Sequence, residues 1–246
     1  MPSFLLIVCI NIKANFIKQL FTMGIKVIIT GATGMVGEAV LYECLQNAEV
    51  SEVLVLTRRP SEDSHPKMKE IIHKDLFDIS SLREQLKGYD ACFFCLGTTS
   101  LGKGAEEYYN TTYTLTMNMA KVMSEANRGQ MVFIYVSGAG TDSTEKGRIR
   151  WARVKGKTEN DLMKLPFKAV YNFRPGYMHP TPGAGKRVNK YAKYVTWLYP
   201  VMRAIAPNTV STLQQLALAM IHVTEQGYPK NILEVKDINK LSGIKG

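Results

Sequence analysis

The stretch IKVIITGATGMVG, residues 25–37, decides the fold class of this chain. An apolar run comes first, and glycines at Gly31, Gly34 and Gly37 lead into an apolar pattern with helical spacing. Gly31 permits a tight turn, Gly34 lets backbone approach a phosphate, and Gly37 lets the helix pack closely on the strand. This order of strand, glycine-rich turn and helix predicts a dinucleotide-binding unit with the phosphates at the helix N-terminus.

Short apolar runs recur after this unit and alternate with helical patterns. The runs are EVLVL, KEIIH, DACFFC, MVFIYV, FKAVYNF and NILEV. Such alternation predicts an α/β fold, a doubly wound parallel Rossmann sheet with helices on both faces. We expect one NAD(P)-binding Rossmann domain over residues 23–246.

Residues 1–22 precede this pattern. Their apolar run, Phe4 to Ile10, is too short to span a bilayer, which needs about 20 residues. No basic residue precedes the run and no small-residue cleavage site follows it, so a secretory signal is not predicted. Met23 begins MGIKVIITGATG, and we interpret residues 1–22 as an N-terminal extension from an upstream start.

The net charge and the cysteine content indicate which binding partners and which cellular compartment to expect. The net charge of +10 favours anionic partners such as phosphates, nucleic acid or a membrane surface, although most lysines are spread as on a solvated surface. The four cysteines lack the spacing of a disulfide framework, which predicts a reducing, cytoplasmic location. Cys92 and Cys95 lie three apart on a strand and so point to opposite faces. We expect core packing there and no metal site.

The end of the second strand, LTRRP, bears on which dinucleotide binds. An NAD-selective site usually places an acidic residue here, whereas Thr57 is neutral. Arg58 and Arg59 could hold a 2′-phosphate through charge-assisted hydrogen bonds. NADP(H) is therefore the favoured cofactor, and NAD(H) is the alternative.

Five motifs occur in order and carry a resemblance: TGATGMVG at 30–37, KDL at 74–76, CLGT at 95–98, YVSG at 135–138 and VKGK at 154–157. From about residue 25 onward the chain resembles an atypical short-chain dehydrogenase/reductase. It is similar to NAD(P)-binding epimerase-like proteins and to the Tat-interacting oxidoreductase family.

The resemblance and the motifs together assign the cofactor contacts. Asp75 and Leu76 would border the adenine, and Pro175 with Gly176 would pass beside the nicotinamide. The full set of candidates is Gly31, Thr33, Gly34, Met35, Val36, Gly37, Arg58, Arg59, Asp75, Leu76, Leu96, Gly97, Thr98, Lys155, Pro175 and Gly176.

The stretch IRWARVKGKTEN, residues 149–160, holds the candidate reaction site. Ser137 and Lys155 match the family's catalytic serine and lysine, but the tyrosine position four before Lys155 is Trp151. The resemblance implies that the lysine holds the nicotinamide ribose and lowers the pKa of the tyrosine. An indole N–H donates a hydrogen bond but does not release its proton near neutral pH. We therefore expect a retained cofactor clamp without the family's general acid, and a Trp151 wall that reshapes the pocket.

An alternative interpretation shifts the helix by one residue, with Trp151 in the core and Arg153 toward the cleft. The candidates for a replacement proton donor are Tyr108, Tyr109, Tyr177, His179 and water relayed through Lys155.

The sequence leaves two classes of function open. One is an NADPH-dependent oxidoreductase or epimerase-like enzyme acting on a small carbonyl or sugar-like substrate. The other is a redox-silent dinucleotide-binding sensor or scaffold.

The stretch GKRVNKYAKYVTWLYPVMR, residues 185–203, interleaves basic and aromatic residues. This pattern suits single-stranded nucleic acid, a membrane surface, or a lid with lysine stems along apolar surface. In the family that it resembles, this segment covers the substrate cleft. We favour a small C-terminal substrate lid over peripheral membrane contact, and membrane contact over nucleic acid.

Overall fold

The computed structural model describes residues 24–61, 64–180 and 196–244. The extension predicted for residues 1–22 lies outside the described residues. Residues 181–195, which include the first half of the 185–203 stretch, lie outside them as well.

Within the described residues, a parallel seven-stranded sheet has the order β3-β2-β1-β4-β5-β6-β9. Its strands are β1 (Ile25–Thr30), β2 (Val50–Thr57), β3 (Met68–Ile72), β4 (Ala91–Phe94), β5 (Val132–Val136), β6 (Ala169–Arg174) and β9 (Ile232–Glu234). Each strand that belongs to this sheet coincides with a predicted apolar run. A separate two-stranded parallel sheet pairs β7 (Tyr177–His179) with β8 (Val210–Thr212).

Helices connect the strands. In the described ranges they are α1 (Met35–Gln46), α2 (Ala105–Tyr109), α3 (Leu115–Ala126), α4 (Arg150–Leu162), α5 (Tyr199–Ile205), α6 (Leu213–Gln226) and α7 (Val235–Leu241). A π-helical segment, Asn110–Thr114, joins α2 to α3, and 3₁₀ turns cover Ser80–Leu86, Thr196–Leu198 and Pro207–Thr209. None of the helices in these ranges has the length and apolar character needed to cross a bilayer.

The inner strands of the sheet are buried on both faces, which explains their nearly continuous apolar runs, whereas the edge strand β3 is partly exposed. Val27 and Ile29 face one core cluster together with residues of α1 and α6. Ile28 faces the other, together with residues of α3 and α4. The predicted doubly wound α/β architecture is therefore confirmed.

The cysteine pair follows the same alternation. Cys92 belongs to the core cluster of Ile28, whereas Cys95 packs against the opposite cluster. The prediction that the two thiols point to opposite faces is confirmed. Among the described residues, no group of three or more histidine, cysteine or carboxylate side chains is arranged to hold a metal ion.

Candidate functional site

The glycine-rich turn lies between the carboxyl end of β1 and the start of α1. Gly31 has a φ of 73°, and a Cβ atom added to it would come within 2.7 Å of the Cys95 backbone. A Cβ atom on Gly37 would come within 2.1 Å of the Gly31 carbonyl oxygen. Both positions therefore require glycine, because a side chain would push the turn away from β4 or the helix away from the turn.

The N-terminus of α1 has no side-chain cap, and the residue before its first turn is Gly34. By contrast, the Thr212 hydroxyl and the Gln215 side chain close a capping box at the start of α6. The first N–H groups of α1 have no acceptor within the helix, and the helix dipole adds positive potential there. Met35, Val36 and Gly37 thus present donors of the kind that bind a pyrophosphate, and their contact with the cofactor stays a prediction.

A cleft of about 310 Å³ opens beside this turn, at the carboxyl ends of β1, β2 and β4. Its lining residues are Gly31, Thr33, Leu56, Thr57, Arg58, Arg59, Pro60, Leu76 and Leu96. The buried Thr57 hydroxyl donates a 2.9 Å hydrogen bond to the Arg59 carbonyl and so shapes the turn that carries the two arginines. Arg58 and Arg59 are exposed, and the lining contains no carboxylate. The cleft therefore presents two guanidinium groups and the Thr57 hydroxyl beside the apolar side chains of Leu56, Leu76 and Leu96.

Two further groups of predicted cofactor residues adjoin lining residues of this cleft. Asp75 is exposed next to Leu76 and accepts a 2.8 Å hydrogen bond from the Phe77 N–H. Gly97 and Thr98 continue the loop that starts at Leu96. Their contact with the cofactor stays a prediction.

The predicted nicotinamide end is marked by Pro175 and Gly176, directly after β6. The Pro175 carbonyl accepts a 2.9 Å hydrogen bond from the Ala139 N–H, so this turn lies against the loop that follows β5. A Cβ atom on Gly176 would come within 2.3 Å of the Thr209 carbonyl oxygen, so glycine is required where the chain passes β8. Contact of Pro175 and Gly176 with the cofactor also stays a prediction.

Lys155 reaches this same loop from α4. Its Nζ donates a hydrogen bond to the Ser137 carbonyl, and it lies 3.9 Å from where a Cβ atom of Gly138 would stand. Burial lowers the pKa of Lys155 to about 8, and the nearby Glu159 carboxylate opposes that shift. The ammonium is therefore held beside the loop after β5 with a pKa of about 8, and perturbed pKa values are frequent at functional sites.

Trp151 lies one turn before Lys155 on α4, on the same side of the helix. Its indole ring is partly exposed, and its Cη2 atom lies 3.5 Å from where a Cβ atom of Gly140 would stand. Arg153 instead donates a 2.6 Å hydrogen bond to the Gly147 carbonyl. Trp151 therefore lies outside the core, unlike in the alternative interpretation, and the position of Arg153 relative to the cleft stays a prediction.

The Ser137 side chain is buried and already has partners. Its hydroxyl lies 2.5 Å from Glu159 Oε1 and 3.1 Å from the Phe173 carbonyl oxygen. The next residue, Gly138, is the one that faces Lys155, and it has no side chain. A direct role of the Ser137 hydroxyl stays a prediction, and its present contacts tie it to a buried ion pair.

That ion pair joins Glu159 on α4 to Arg174 at the end of β6. Glu159 is fully buried, and Arg174 approaches it side-on, with Nε 3.0 Å from Oε1 and Nη2 2.5 Å from Oε2. Arg174 also contacts the Ser143 hydroxyl and the exposed carboxylate of Glu234. The network fixes the helix that carries Lys155 and Trp151 relative to the turn before Pro175.

The candidate replacement donors occupy two places. Tyr108 is buried, which raises its pKa, and Tyr109 packs against another tyrosine ring with 4.9 Å between centroids. Tyr177 and His179 both stack on Tyr199, with ring centroids 6.4 Å and 3.9 Å apart. Burial lowers the pKa of His179. Whether any of these four side chains donates a proton stays a prediction.

Sequence reasoning missed four residues of this site. Gly138 lies next to Lys155 and Gly140 lies next to Trp151, and neither glycine has a side chain. The sequence GAG directly after Ser137 could have indicated these two positions. Glu159 lies inside the stretch IRWARVKGKTEN and Arg174 directly follows the run FKAVYNF, but nothing local in the sequence indicates that they pair.

The fold and the site together define a Rossmann-type dinucleotide-binding protein. A family model described as NAD(P)H-binding matches residues 31–164, and the chain belongs to that family. Protein FMP52, mitochondrial, from Eremothecium gossypii is 30% identical over 153 residues, which cover 61% of this chain and 65% of that protein. The Saccharomyces cerevisiae protein of the same name is 28% identical over 167 residues, covering 66% of this chain and 67% of its own.

These relatives correct the predicted cellular location, and they do not support the finer family resemblance. Their names place them in mitochondria, which contradicts the cytoplasmic location predicted from the cysteines. The spacing of the cysteines indicates only that a disulfide framework is not expected. It does not distinguish the cytoplasm from another reducing compartment. The relatives carry the name FMP52, so the finer likeness to the Tat-interacting oxidoreductases is not shown by them. The match spans about 65% of the length of the first of these relatives.

Solved structures agree with the fold class. Helicobacter pylori ADP-L-glycero-D-manno-heptose-6-epimerase superposes with a TM-score of 0.60 at 15% identity, covering 88% of this chain and 81% of its own. MoeE5 in complex with UDP-glucuronic acid and NAD gives a TM-score of 0.59 at 15% identity with the same coverage of both chains. At this identity the similarity concerns the fold, which is that of the short-chain dehydrogenase/reductase and epimerase-like proteins.

Proposed function

We propose that this protein is an NADP(H)-dependent oxidoreductase of the short-chain dehydrogenase/reductase class that reduces a small carbonyl or sugar-like substrate. In this proposal Lys155 replaces the missing tyrosine as the proton source, acting through a water molecule. The observation that carries it is the position of the Lys155 ammonium, which is buried beside the side-chain-free Gly138 and on the same side of α4 as Trp151. As a finer placement we propose kinship with the Tat-interacting oxidoreductases, supported by the VKGK motif at 154–157.

The choice of NADP(H) is supported by charge at the adenosine end. Arg58 and Arg59 line the cleft, and no carboxylate stands among the lining residues to bind ribose hydroxyls. Arginine binds phosphate through paired, charge-assisted hydrogen bonds. A 2′-phosphate would therefore be attracted to this end of the cleft, whereas NAD(H) lacks that group.

The chemistry assigned to the chain is proton delivery and exclusion of water. When bound, the dinucleotide supplies the hydride. The Lys155 ammonium gives up one proton, which reaches the carbonyl oxygen as the hydride reaches the carbonyl carbon, and the product is an alcohol. Trp151 covers the cleft against Gly140 and limits the size of the substrate.

The test is consumption of NADPH at saturating cofactor against a panel of aldehydes, ketones and quinones. A positioned acid contributes about 10²–10⁴-fold to a rate, so Lys155→Met should lose turnover on that scale. Lys157→Met is the matched control, because Lys157 lies two residues away and pairs with Asp161. Equal turnover in all three proteins would contradict the role of Lys155.

A second function is favoured by a separate observation. The position that would carry the phenol is an indole, Gly138 offers no hydroxyl, and the Ser137 hydroxyl is bound to Glu159. These features suit a redox-silent protein that senses NADPH or serves as a scaffold. Tight NADPH binding together with no turnover of any panel substrate would favour this function over the reductase.

A further inference from the structure

Ser137, which directly follows β5, is bound by two successive turns of α4. Its carbonyl oxygen accepts a hydrogen bond from Lys155 Nζ, and its hydroxyl lies 2.5 Å from Glu159 Oε1. Lys155 and Glu159 are four residues apart and therefore lie on the same side of the helix. The helix that carries the ammonium thus binds both the backbone and the side chain of this one serine.

The Ser137 hydroxyl has two acceptors within reach but can donate only one hydrogen bond. Glu159 Oε1 lies at 2.5 Å and belongs to a carboxylate. The Phe173 carbonyl oxygen lies at 3.1 Å and already accepts the Ser137 N–H at 2.8 Å. Hydrogen bonds to charged acceptors are shorter and stronger than those to neutral acceptors, so the proton is directed to Glu159. The buried hydroxyl is therefore not free to donate to a substrate.

The Glu159 carboxylate is a fixed negative charge between α4 and β6. It is fully buried, and Arg174 binds both of its oxygens from β6. The phenols of Tyr108 and Tyr135 are also buried, which raises their pKa values, so they add no charge at neutral pH. A negative charge near an ammonium favours its protonated form, whereas burial disfavours it. Glu159 and burial therefore act on Lys155 in opposite directions.

We propose that Glu159 and Ser137 are positioning residues for Lys155: the carboxylate holds the serine by its hydroxyl, and the serine carbonyl holds the ammonium. This inference rests on the proposed function, in which Lys155 supplies the proton. The negative charge of Glu159 also keeps the ammonium protonated at neutral pH, because burial alone favours the neutral amine, which has no acidic proton to deliver. Ser137 thus acts on the reaction through Lys155 and not by contact with the substrate.

The titration midpoint of Lys155 tests the role of the Glu159 charge. It is measured by NMR on the full chain with ¹³C-labelled lysine, and the Lys155 signal is the one that Lys155→Arg lacks. Glu159→Gln should move the midpoint to lower pH by about one unit, because an opposite charge is lost. Asp161→Asn is the matched control on the same helix. Its carboxylate pairs with Lys157 and Lys164, so the control should leave the midpoint in place.

A purely structural role of Glu159 gives the opposite sign. Loosening of α4 would expose the Lys155 ammonium to water and raise its midpoint, since burial is what lowers the pKa. If Glu159→Gln does not fold, the double variant Glu159→Gln and Arg174→Gln takes its place, because it leaves no buried charge unpaired. Its midpoint should also fall, though by less, since a repulsive charge is lost as well. An unchanged or higher midpoint in the folded variant overturns the proposal.

Ser137→Ala tests the role of the hydroxyl. It should lower kcat for carbonyl reduction by at least about tenfold and leave KM for the substrate unchanged, because the hydroxyl places Lys155. A raised KM with unchanged kcat would assign the hydroxyl to substrate binding and contradict the proposal. The midpoints are measured without substrate, so the two claims fail separately. A lowered midpoint without any NADPH consumption contradicts the reductase alone, and NADPH consumption with an unmoved midpoint contradicts the role of Glu159 alone.

Discussion

At the scale of single residues, the proposed function depends on Trp151, which stands where the resemblance implies a tyrosine. The indole is larger and cannot lose its proton near neutral pH, while the Lys155 beside it keeps its position on α4. Cofactor binding and proton transfer therefore depend on different groups. The first depends on backbone N–H groups and on arginine charge, and the second depends on one side chain.

Restoring the phenol tests this separation. Trp151→Tyr should raise NADPH turnover, but by much less than the about 10²–10⁴-fold that a positioned acid contributes, because Lys155 already supplies the proton through water. The measurement is kcat at saturating NADPH with the best substrate of the panel. Trp151→Phe is the matched control, since it opens the same space without a hydroxyl. An equal gain in both variants would show that the indole limits only the space.

The pH dependence of turnover follows from Lys155. Burial lowers the pKa of Lys155 to about 8, so its ammonium is the major form below that pH and is lost above it. Carbonyl reduction should be nearly constant at neutral pH and then fall by about tenfold per pH unit above the pKa. Lys155→Arg stays charged and should give no such decline, although its rate is lower. A wild-type rate that is constant through this range would contradict proton delivery from Lys155.

At the scale of elements, one buried ion pair positions α4 against the end of β6. Glu159 is fully buried and bound side-on by Arg174, so Glu159→Gln would leave a buried guanidinium without its counter-charge. We expect a loss of about 3–5 kcal/mol in the free energy of unfolding, measured with denaturant.

The control for this pair is Glu234→Gln. Glu234 also contacts Arg174, but its side chain is 52% exposed. Removing an exposed charge should cost no more than about 1 kcal/mol. Similar small losses for both variants would mean that the pair does not hold α4 in place.

Prediction from sequence succeeded where the signal is local. The inner strands of the large sheet are buried on both faces, so each produced an apolar run that the sequence displays. The turn from Gly31 to Gly37 is likewise encoded within a few residues. Strands β7 and β8 have three residues each, too few to show a period, and were not predicted.

The candidate site was predicted only in part, and the reason is again physical. Lys155 and Trp151 lie on one helix, so helical spacing alone places them together. The environment of Ser137 depends on Glu159, which is 22 residues away in sequence, and side-chain direction at the end of β5 is set by that contact. Such pairing through the core leaves no local pattern in a single sequence.

At the scale of the whole molecule, the cleft draws on the carboxyl ends of strands that are distant in sequence. The adenosine end follows β1, β2 and β4, and Lys155 meets the loop after β5. This is the edge of an open α/β sheet where ligands bind, beside the point at which the strand order reverses. The selectivity of the cleft for NADP(H) is the claim on which the proposed function rests.

Calorimetric titration of NADPH and NADH into the full chain tests that claim most directly. Losing a charge-assisted contact costs about 1.5–3 kcal/mol, so NADPH should bind roughly tenfold or more tightly than NADH. The double variant Arg58→Ala and Arg59→Ala should remove the difference. The matched double variant Arg83→Ala and Lys87→Ala, which removes two charges that pair with glutamates elsewhere, should keep it. Equal affinities for both dinucleotides, unchanged by the first variant, would contradict the account.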